Sequence, residues 1–307
     1  MPRVFVFGSI NMDMSIACAR MPRAGETVQG DGFLLNAGGK GGNQAVAAAR
    51  MGAAVEMIGA VGSDLFGSRL KALLSEAGVG TSQVRLLEAE PTGVAAITRV
   101  DGDNRIILGA GANHALGAAE VSASLDALGA TPNDIFLAQL EADNDAVFAA
   151  IEDAHARGLY TALNPAPARH LPEGLWDAVD FICLNETECE AISGIMPHDA
   201  ATERVALEAL AARGPRVVAI TLGGRGSRVL ADGRLLEAIP PAHEVADTTC
   251  AGDTYIGAFI AALAGGASVD DALALATAAS ALATTVLGAQ QSIPAYEDAR
   301  ALIAGMR

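Results

Sequence analysis

The sequence predicts an α/β protein whose central sheet is mostly parallel and is flanked by helices on both faces. Short β-like runs recur along the chain, and helix-compatible segments separate them. The strands are predicted at 4–8, 55–61, 135–140, 161–163, 181–184 and 217–222, and the helices at 43–51, 67–77, 145–157, 186–193 and 203–213. Because strand and helix alternate at the spacing of βαβ units, the strands are expected to share one sheet. Residues 1–307 are expected to form a single domain.

Two segments interrupt this alternation. Residues 16–35 contain short β-like pieces around a proline and several glycines. Residues 93–109 resemble a hairpin whose turn is Asp101-Gly102-Asp103-Asn104, since Asp-Gly favours tight turns. The acids of this turn lack the twelve-residue pattern of a calcium loop, so the turn is the preferred interpretation. We expect the two segments, at about 14–36 and 93–110, to form a small antiparallel β lid on the main sheet.

The composition excludes several classes of protein. A net charge of −16 argues against nucleic-acid binding, which requires a basic surface. No apolar run reaches the length of a membrane span, and the first residues lack the pattern of a signal peptide, so a cytoplasmic protein without a membrane partner is expected. The four cysteines form no CxxC pair and the five histidines show no HxxxH spacing, so no zinc site is predicted.

The most informative stretch runs from Asp247 to Asp253, where small residues precede a carboxylate and an apolar helix. The helix is predicted to begin near Gly252 or Asp253. Free N–H groups in a first helical turn attract anions, and Ala251 and Gly252 leave room for a phosphate to approach. Asp253 is placed to accept a proton from an attacking hydroxyl. The alternative is that Asp253 only starts a helix, where acids are favoured by the dipole.

Polar residues also follow several predicted strands, at the edge where open α/β sheets bind ligands. Asn11 and Asp13 follow the first strand, Lys40 and Asn43 belong to a glycine-rich motif, and Glu141 follows a middle strand. Carboxylates that accept from neighbouring hydroxyls, with amide and ammonium donors, suit a polyhydroxylated ligand. The alternatives are a solvated loop for the first pair and a flexible turn for the glycines.

Two further motifs suit a nucleotide. Asn185 and Glu188 are predicted to lie near a Mg²⁺–phosphate shell, although the same pair is ordinary helix-capping chemistry. The glycine-rich run from Thr221 to Gly226 is either a tight turn or a place where a nucleotide lies against bare backbone.

Taken in order, these motifs resemble the ribokinase family of the phosphofructokinase-B-type sugar kinases, from residue 4 to about residue 294. They are Gly8-Ser9-Ile10-Asn11-Met12-Asp13, Gly38-Gly39-Lys40-Gly41-Gly42-Asn43-Gln44, Leu163-Asn164-Pro165-Ala166-Pro167, Leu184-Asn185-Glu186-Thr187-Glu188, Thr221-Leu222-Gly223-Gly224-Arg225-Gly226 and Asp247-Thr248-Thr249-Cys250-Ala251-Gly252-Asp253. The resemblance implies a ribokinase-like fold and ATP-dependent phosphorylation of D-ribose at its 5-hydroxyl.

The resemblance also implies roles for individual residues. Asp253 matches the catalytic base, and Ala251 with Gly252 matches the anion hole. The sugar contacts match Asn11, Asp13, Gly39, Lys40, Asn43, Glu141 and Asp253, and the nucleotide positions match Asn185, Thr221, Gly223, Gly226, Gly252 and Thr277. Glu188 matches an acid that acts through Mg²⁺ and phosphate.

A monovalent cation, expected to be K⁺, is implied beside the anion hole. Its ligands match Asp247, Thr249, Ala283, Val286, Gly288 and Ser292, several of them through backbone carbonyls. The lid resembles the one through which the family forms homodimers. The sequence departs from the family at Thr277, where histidine is common, at Gly42, where alanine is common, and at Val286, where arginine occurs.

Three alternatives to a ribose kinase stay open. The same fold phosphorylates other sugars, with deoxyribose the nearest competitor, or nucleosides, although an aromatic content of 4% offers little to pack on a base. A third possibility is a sugar-binding protein that has lost its chemistry, which the intact base, anion loop and Lys40 argue against. A nicotinamide-dependent oxidoreductase is disfavoured because no GxGxxG follows the first strand, and a P-loop enzyme because GxxxxGK[ST] is absent.

Overall fold

The computed structural model describes residues 2–100 and 103–306. The strands are β1 (Arg3–Phe7), β2 (Asn11–Cys18), β3 (Gly30–Gly38), β4 (Ala54–Gly62), β5 (Gly80–Leu87), β6 (Gly93–Val100), β7 (Asp103–Gly109), β8 (Ile135–Gln139), β9 (Tyr160–Asn164), β10 (Phe181–Asn185), β11 (Val217–Thr221), β12 (Ser227–Ala231) and β13 (Arg234–Ala238). The helices are α1 (Lys40–Arg50), α2 (Leu65–Glu76), α3 (Ala118–Ala127), α4 (Asn144–Ala156), α5 (Glu186–Ser193), α6 (Ala200–Ala211), α7 (Ala251–Ala264), α8 (Val269–Ala283) and α9 (Tyr296–Met306). None of the described helices is long and apolar enough to cross a bilayer.

The main sheet has nine strands in the order β13-β12-β11-β10-β9-β8-β1-β4-β5. All neighbours from β11 to β5 pair parallel, whereas β12 and β13 add an antiparallel edge. The prediction of a mostly parallel sheet is therefore confirmed. Strand β5 and the edge hairpin β12–β13 were not assigned from the sequence, because their mixed polar and apolar residues lack the continuous apolar run of a buried strand.

Helices cover both faces of the sheet, so two hydrophobic cores form. Val4 and Val6 of β1 point into one core with residues of α1, α2, α7, α8 and α9. Phe5 and Phe7 point into the other core with residues of α3, α4, α5 and α6. Alternate side chains of a strand emerge on opposite faces, and a strand buried on both faces therefore needs an unbroken apolar sequence.

Helices α1 and α7 pack closely, and this contact positions the candidate site. A Cβ atom at Gly257 would lie 2.7 Å from the carbonyl oxygen of Gln44 and 2.8 Å from the amide nitrogen of Ala48. Glycine is therefore required there, since any side chain would push the two helices apart. Because Asp253 lies one turn before Gly257 on α7, the close approach brings its carboxylate to the start of α1.

A second sheet of four strands, ordered β3-β2-β6-β7, forms the predicted lid. The pairs β2–β3 and β6–β7 are antiparallel, and the central pair β2–β6 is parallel. The predicted turn includes Asp101 and Gly102, which lie outside the described residues. Strand β2 begins at Asn11, before the predicted lid boundary, so Asn11 and Asp13 belong to a strand and the solvated-loop alternative is wrong.

Helix α1 begins at Lys40, three residues earlier than predicted. Residues 36–42 were expected to form a glycine-rich loop before the helix. The structure divides this segment. Gly38 ends β3, Gly39 precedes the helix, and Gly41 and Gly42 lie within its first turn.

Candidate active site

Asp253 is a buried carboxylate in the first turn of α7. The helix begins at Ala251, within a residue or two of the prediction. Asp253 is 9% exposed, its Oδ2 accepts from Nδ2 of Asn43 at 2.9 Å, and its Oδ1 accepts from Nε2 of Gln44 at 2.9 Å. A residue that only starts a helix has no need of burial or of two side-chain donors, so the geometry disfavours that alternative.

Burial is also the main influence on the proton affinity of Asp253. It raises the pKa of the carboxyl, the positive charge of Lys40 and the amide donors of Asn43 and Gln44 lower it, and Glu141 raises it again. The pKa remains above its ordinary value. A carboxylate with a raised pKa accepts a proton more readily, as a general base requires.

Free backbone donors lie beside Asp253. Cys250, which precedes the helix, has a left-handed backbone with φ of 67°, an unusual conformation for a residue with a side chain. The N–H of Ala251 donates to the carbonyl of Thr248 at 3.2 Å, whereas those of Gly252 and Asp253 have no acceptor in the described part of the chain. The space beside Gly252 is open. The start of α7 therefore offers an anion two N–H groups, those of Gly252 and Asp253, and the N–H of Ala251 is already engaged.

A cleft of about 1010 Å³ lies between the main sheet and the lid, and all the predicted sugar contacts line it. They are Asn11, Asp13, Gly39, Lys40, Asn43, Glu141 and Asp253. The lid contributes side chains from β2, β3, β6 and β7 to the opposite wall. Residues that are up to 242 positions apart in sequence thus meet in one cavity, as the strand-end argument predicted.

The carboxylates of this cleft influence one another. Burial, followed by the charges of Glu141 and Asp253, raises the pKa of Asp13 to about 7. Burial lowers the pKa of the Lys40 ammonium. The negative charges of Asp253, Glu141 and Glu188 together raise it by more, so the pKa lies above its ordinary value. Lys40 is therefore the positive charge around which the acids are arranged.

The glycine motif is rigid, because its neighbours leave no room for side chains. A Cβ atom at Gly38 would overlap the carboxyl group of Asp13. Gly39 has φ of 86°, and a Cβ atom there would lie 2.8 Å from the carbonyl oxygen of Ser9. Glu141 then fixes the start of α1, since its Oε2 accepts from the backbone N–H of Lys40 at 3.0 Å and from Ser9 Oγ at 2.6 Å. The flexible-turn alternative is therefore wrong.

A second cleft of about 440 Å³ lies on the other side of the start of α7. Among its lining residues are the predicted nucleotide positions Asn185, Thr221, Gly223, Gly226, Gly252 and Thr277. The Oγ1 atom of Thr277 is buried and has no hydrogen-bond partner in the described part of the chain. Gly223 and Gly226 have positive φ values, and a Cβ atom at Gly226 would overlap the carbonyl of Ala238.

A smaller cavity of about 210 Å³ connects the two clefts. It shares Lys40 and Asp253 with the larger cleft and Asn185, Thr221 and Gly252 with the second. A group held in the second cleft therefore has a path to the base.

Glu188 also lines the connecting cavity. Its Oε2 accepts from the backbone N–H of Asn185 at 2.9 Å, and the Asn185 side chain accepts in return from the N–H of Glu188. The predicted capping alternative is thus correct for this pair, and it does not exclude a second role. Burial raises the pKa of Glu188, and the hydrogen bond with Asn185 and the charge of Lys40 lower it less.

The residues matched to the cation site lie on two adjoining loops. The carboxylate of Asp247 accepts from the N–H of Thr249 at 2.9 Å and from the N–H of Gly288 at 3.0 Å, which ties the loops together. Ser292 is buried and donates to the carbonyl of Ala289, Ala283 ends α8, and Val286 is 46% exposed. Within the described ranges no three His, Cys, Asp or Glu side chains cluster as metal ligands.

Sequence reasoning missed a buried amide network behind Asp253. Gln44, Gln139 and Asn164 are almost completely buried and hydrogen-bonded to one another through Gln44. Gln44 and Asn164 lie in the motifs quoted above, and Gln139 lies near the end of the strand predicted at 135–140. Only the packing of α1 against the strand ends shows that they contact one another and the base.

Comparisons with known proteins agree with this geometry. The model of the pfkB family carbohydrate kinase matches residues 1–296. The chain is similar to a ribokinase from Haemophilus influenzae (37% identity over 294 residues, 95% of each chain) and to a deoxyribokinase from Salmonella typhi (33% identity over 299 residues, 96% of each). The fold is similar to the structure of Arabidopsis thaliana ribokinase complexed with ribose and ATP, with a TM-score of 0.89, 29% identity and 98% of each chain covered.

Proposed function

The chain belongs to the pfkB family of carbohydrate kinases, and on that premise we propose that it transfers the γ-phosphoryl group of ATP to the 5-hydroxyl of D-ribose. It is a phosphotransferase with an alcohol as acceptor. The observation that carries the proposal is the position of Asp253, which lies in the cavity between the cleft that the predicted sugar contacts line and a second cleft with glycine-rich walls.

Asp253 acts as the general base. As the sugar oxygen attacks the γ-phosphorus, the carboxylate accepts the hydroxyl proton and the bond between the γ-phosphorus and the β–γ bridging oxygen breaks, leaving ADP. The free N–H groups of Gly252 and Asp253 stabilise the negative charge on the transferring group. Ala251 is the first residue of the same helical turn. Phosphoryl transfer depends chiefly on positioning and charge stabilisation, so one base and one anion hole suffice.

The sugar is held by the polar wall of the larger cleft. Asp13 and Glu141 accept from sugar hydroxyls, and Lys40, Asn43 and Asn11 provide amide or ammonium donors. Gly39 lets the sugar approach the backbone. The lid closes over the opposite side and excludes water from the transfer.

The nucleotide occupies the second cleft, against Asn185, Thr277 and the backbone from Thr221 through Gly223 to Gly226. Mg²⁺ fits here, because Glu188 supplies one carboxylate to the connecting cavity and this ion is usually held by one or two carboxylates together with substrate phosphates. Bound Mg²⁺ neutralises charge that develops on the phosphates.

A monovalent cation, K⁺, is proposed at the paired loops beside the anion hole. The donor set fits, since the carboxylate of Asp247 has no Lys or Arg partner among the described residues and the other matched ligands, Thr249, Ala283, Val286, Gly288 and Ser292, offer carbonyl and hydroxyl oxygens. Activity in K⁺ should exceed activity in a buffer whose only cation is bulky and organic. Equal activity in the two buffers would remove the cation from the proposal.

We further propose a cytoplasmic homodimer. The described cysteines are all unpaired, as expected in a reducing compartment. Large apolar side chains on β3 and β7 of the lid are exposed, among them Phe33 at 59% and Ile107 at 76%. Large exposed apolar side chains are typical of an association surface, which favours pairing through the lid.

Deoxyribose is the second candidate acceptor, favoured by the similarity to a deoxyribokinase. The two sugars differ by one hydroxyl. A site whose buried groups bond that hydroxyl discriminates strongly, because the wrong sugar leaves them unpaired. A panel of ribose, deoxyribose, other sugars and nucleosides at fixed MgATP, with ADP formation as the readout, separates these substrates.

The variant Asp253→Asn tests the mechanism. It keeps the size of the side chain and removes the base, so sugar binding should persist while turnover falls by about two to four orders of magnitude. Near-normal turnover in this variant would remove Asp253 from the role of base. Sugar binding without turnover of any acceptor by the unaltered protein would favour the non-catalytic alternative.

A further inference from the structure

Gln44 lies behind the candidate base, in a position from which it cannot touch a substrate. It follows Asn43 on α1, it has no exposed surface, and it lines none of the three cavities described above. Its Nε2 donates to Asp253 Oδ1 at 2.9 Å and to Asn164 Oδ1 at 3.1 Å. Its effect on the reaction must therefore pass through the side chains to which it donates, Asp253 and Asn164.

The orientation of the Gln44 amide is set by the main sheet. Its Oε1 accepts from Nε2 of Gln139 at 2.6 Å, at the end of β8. Asn164 ends β9, and its Nδ2 donates to the carbonyl of Cys183 in β10 at 3.0 Å. If the Gln44 amide rotated by half a turn, its carbonyl oxygen would face the Asp253 carboxylate. The backbone of β10 thus orients Asn164, and Asn164 and Gln139 together keep the N–H₂ group of Gln44 directed at the base.

Asn43 and Gln44 hold different oxygens of Asp253. Asn43 binds Oδ2 and also lines the sugar cleft, whereas Gln44 binds Oδ1 from the protein interior. Two donors on separate oxygens prevent the carboxylate from rotating about its terminal bond. A base held in this way meets the reacting hydroxyl in a constant geometry.

We propose that Gln44 is a positioning residue for phosphoryl transfer, which holds Asp253 from the protein side with its own amide oriented by Gln139. The inference rests on the proposed function, because it takes Asp253 as the base. Gln44 contributes to the reaction through the orientation and charge state of the Asp253 carboxylate.

The groups that surround Asp253 influence its ionisation in opposite directions. Lys40 favours the ionised form, while the acids Glu141, Asp13 and Glu188 disfavour it. Cys250, whose thiol pKa is raised by burial, also faces Asp253 from the residue preceding the helix. The hydrogen bond from Gln44 favours the ionised carboxylate, so its removal should raise the pKa of the base.

The test is the pH profile of kcat at saturating sugar in Gln44→Met, which keeps the length of the side chain and removes the amide. Because kcat reports groups in the enzyme–substrate complex, its acid limb is separated from the loss of sugar affinity that protonation of Asp13 causes in the free cleft. Loss of a hydrogen bond to a charged group should move the acid limb upward by about one pH unit. Misorientation of the base should lower kcat about 10- to 100-fold. KM for the sugar should change less than about threefold, because the side chains that bind the sugar are not altered.

Two further variants keep the test decisive. Gln139→Met leaves the Gln44 donor in place and removes one of the two groups that orient it, while Asn164 remains, so the acid limb should move in the same direction by a smaller amount. Gln83→Met, on the distant edge strand β5, is the matched control and should leave the profile unchanged. Melting temperatures of all three variants report any loss of folding.

An acid limb that stays in place in folded Gln44→Met overturns the proposal, even if stability falls, because a purely structural role would have that result. If Gln44→Met does not fold, an unmoved limb in folded Gln139→Met overturns it instead. Failure of the proposed function is a separate outcome. In that case Asp253→Asn itself retains turnover, whereas failure of this inference alone leaves Asp253→Asn inactive and the glutamine variants normal.

Discussion

The variant Asp13→Asn should stabilise the ligand-free protein by an amount that grows with pH. Asp13 is 9% exposed, and its pKa is raised from 3.8 to about 7 by burial, by Glu141 and by Asp253. The folded protein therefore binds this proton more tightly than the unfolded chain does. Stability is lost as pH rises from 3.8 to about 7 and is then constant, because the ionised carboxylate is unfavourable in the folded cleft.

The magnitude follows from the size of the shift. About three pH units at roughly 1.4 kcal/mol each correspond to a penalty of about 4 kcal/mol above pH 7. At pH 5 only the interval from 3.8 to 5 has been crossed, so the penalty is about 2 kcal/mol. The stabilisation by Asp13→Asn should thus be about 2 kcal/mol larger at pH 8 than at pH 5. Effects of the substitution that do not depend on pH cancel in this difference.

The assay is urea unfolding of the wild type and Asp13→Asn at pH 5 and pH 8, without sugar or nucleotide. Asp31→Asn, on exposed β3 of the same lid, is the control and should show no such pH-dependent difference. An equal stabilisation by Asp13→Asn at the two pH values would refute the reasoning about its buried charge. The same titration predicts that sugar affinity decreases as the pH is lowered below about 7, by up to roughly tenfold per pH unit, because sugar hydroxyls donate to the ionised carboxylate. Calorimetric titration of the protein with the sugar at pH 6 and pH 8 measures this change.

Three other predictions concern the glycine motif, the nucleotide loop and the lid. Gly41→Ala should abolish measurable sugar binding, because its Cβ would lie 2.6 Å from the backbone of the loop after β1. Gly42→Ala should leave sugar binding nearly normal, because the nearest atom to its Cβ is the end of a glutamine side chain at 3.1 Å. Equal sugar affinities of the two variants would contradict this prediction. Arg225→Ala breaks ion pairs that join the nucleotide loop to α5 and to buried Glu203. In steady-state kinetics, KM for ATP should therefore rise at least about fivefold, while KM for the sugar should stay nearly constant. An equal rise of both KM values would contradict this prediction. Ile107→Asp places a charge on the exposed face of the lid and should convert the proposed homodimer to a monomer in light scattering. A mass equal to that of the wild type would contradict pairing through this face.

The fold class and several residues that line the larger cleft were predictable from the sequence. The apolar runs and their spacing indicated parallel strands, and parallel strands place their carboxyl ends at one edge. Asn11, Lys40 and Glu141 could therefore be assigned to a common site before any contact was known. The start of α7 was predictable within a residue or two, because small residues followed by an acid and an apolar run are a local signal.

Only the tertiary structure decided how these residues act on one another. That Gln44 contacts Asp253, across 209 positions of the chain, depends on the close packing of α1 and α7 at Gly257. The raised pKa of Asp13 likewise depends on carboxylates brought together by different strands and helices. Periodicity and motifs report interactions between near neighbours in the chain, whereas burial, charge coupling and hydrogen-bond partners are set by which distant segments pack together.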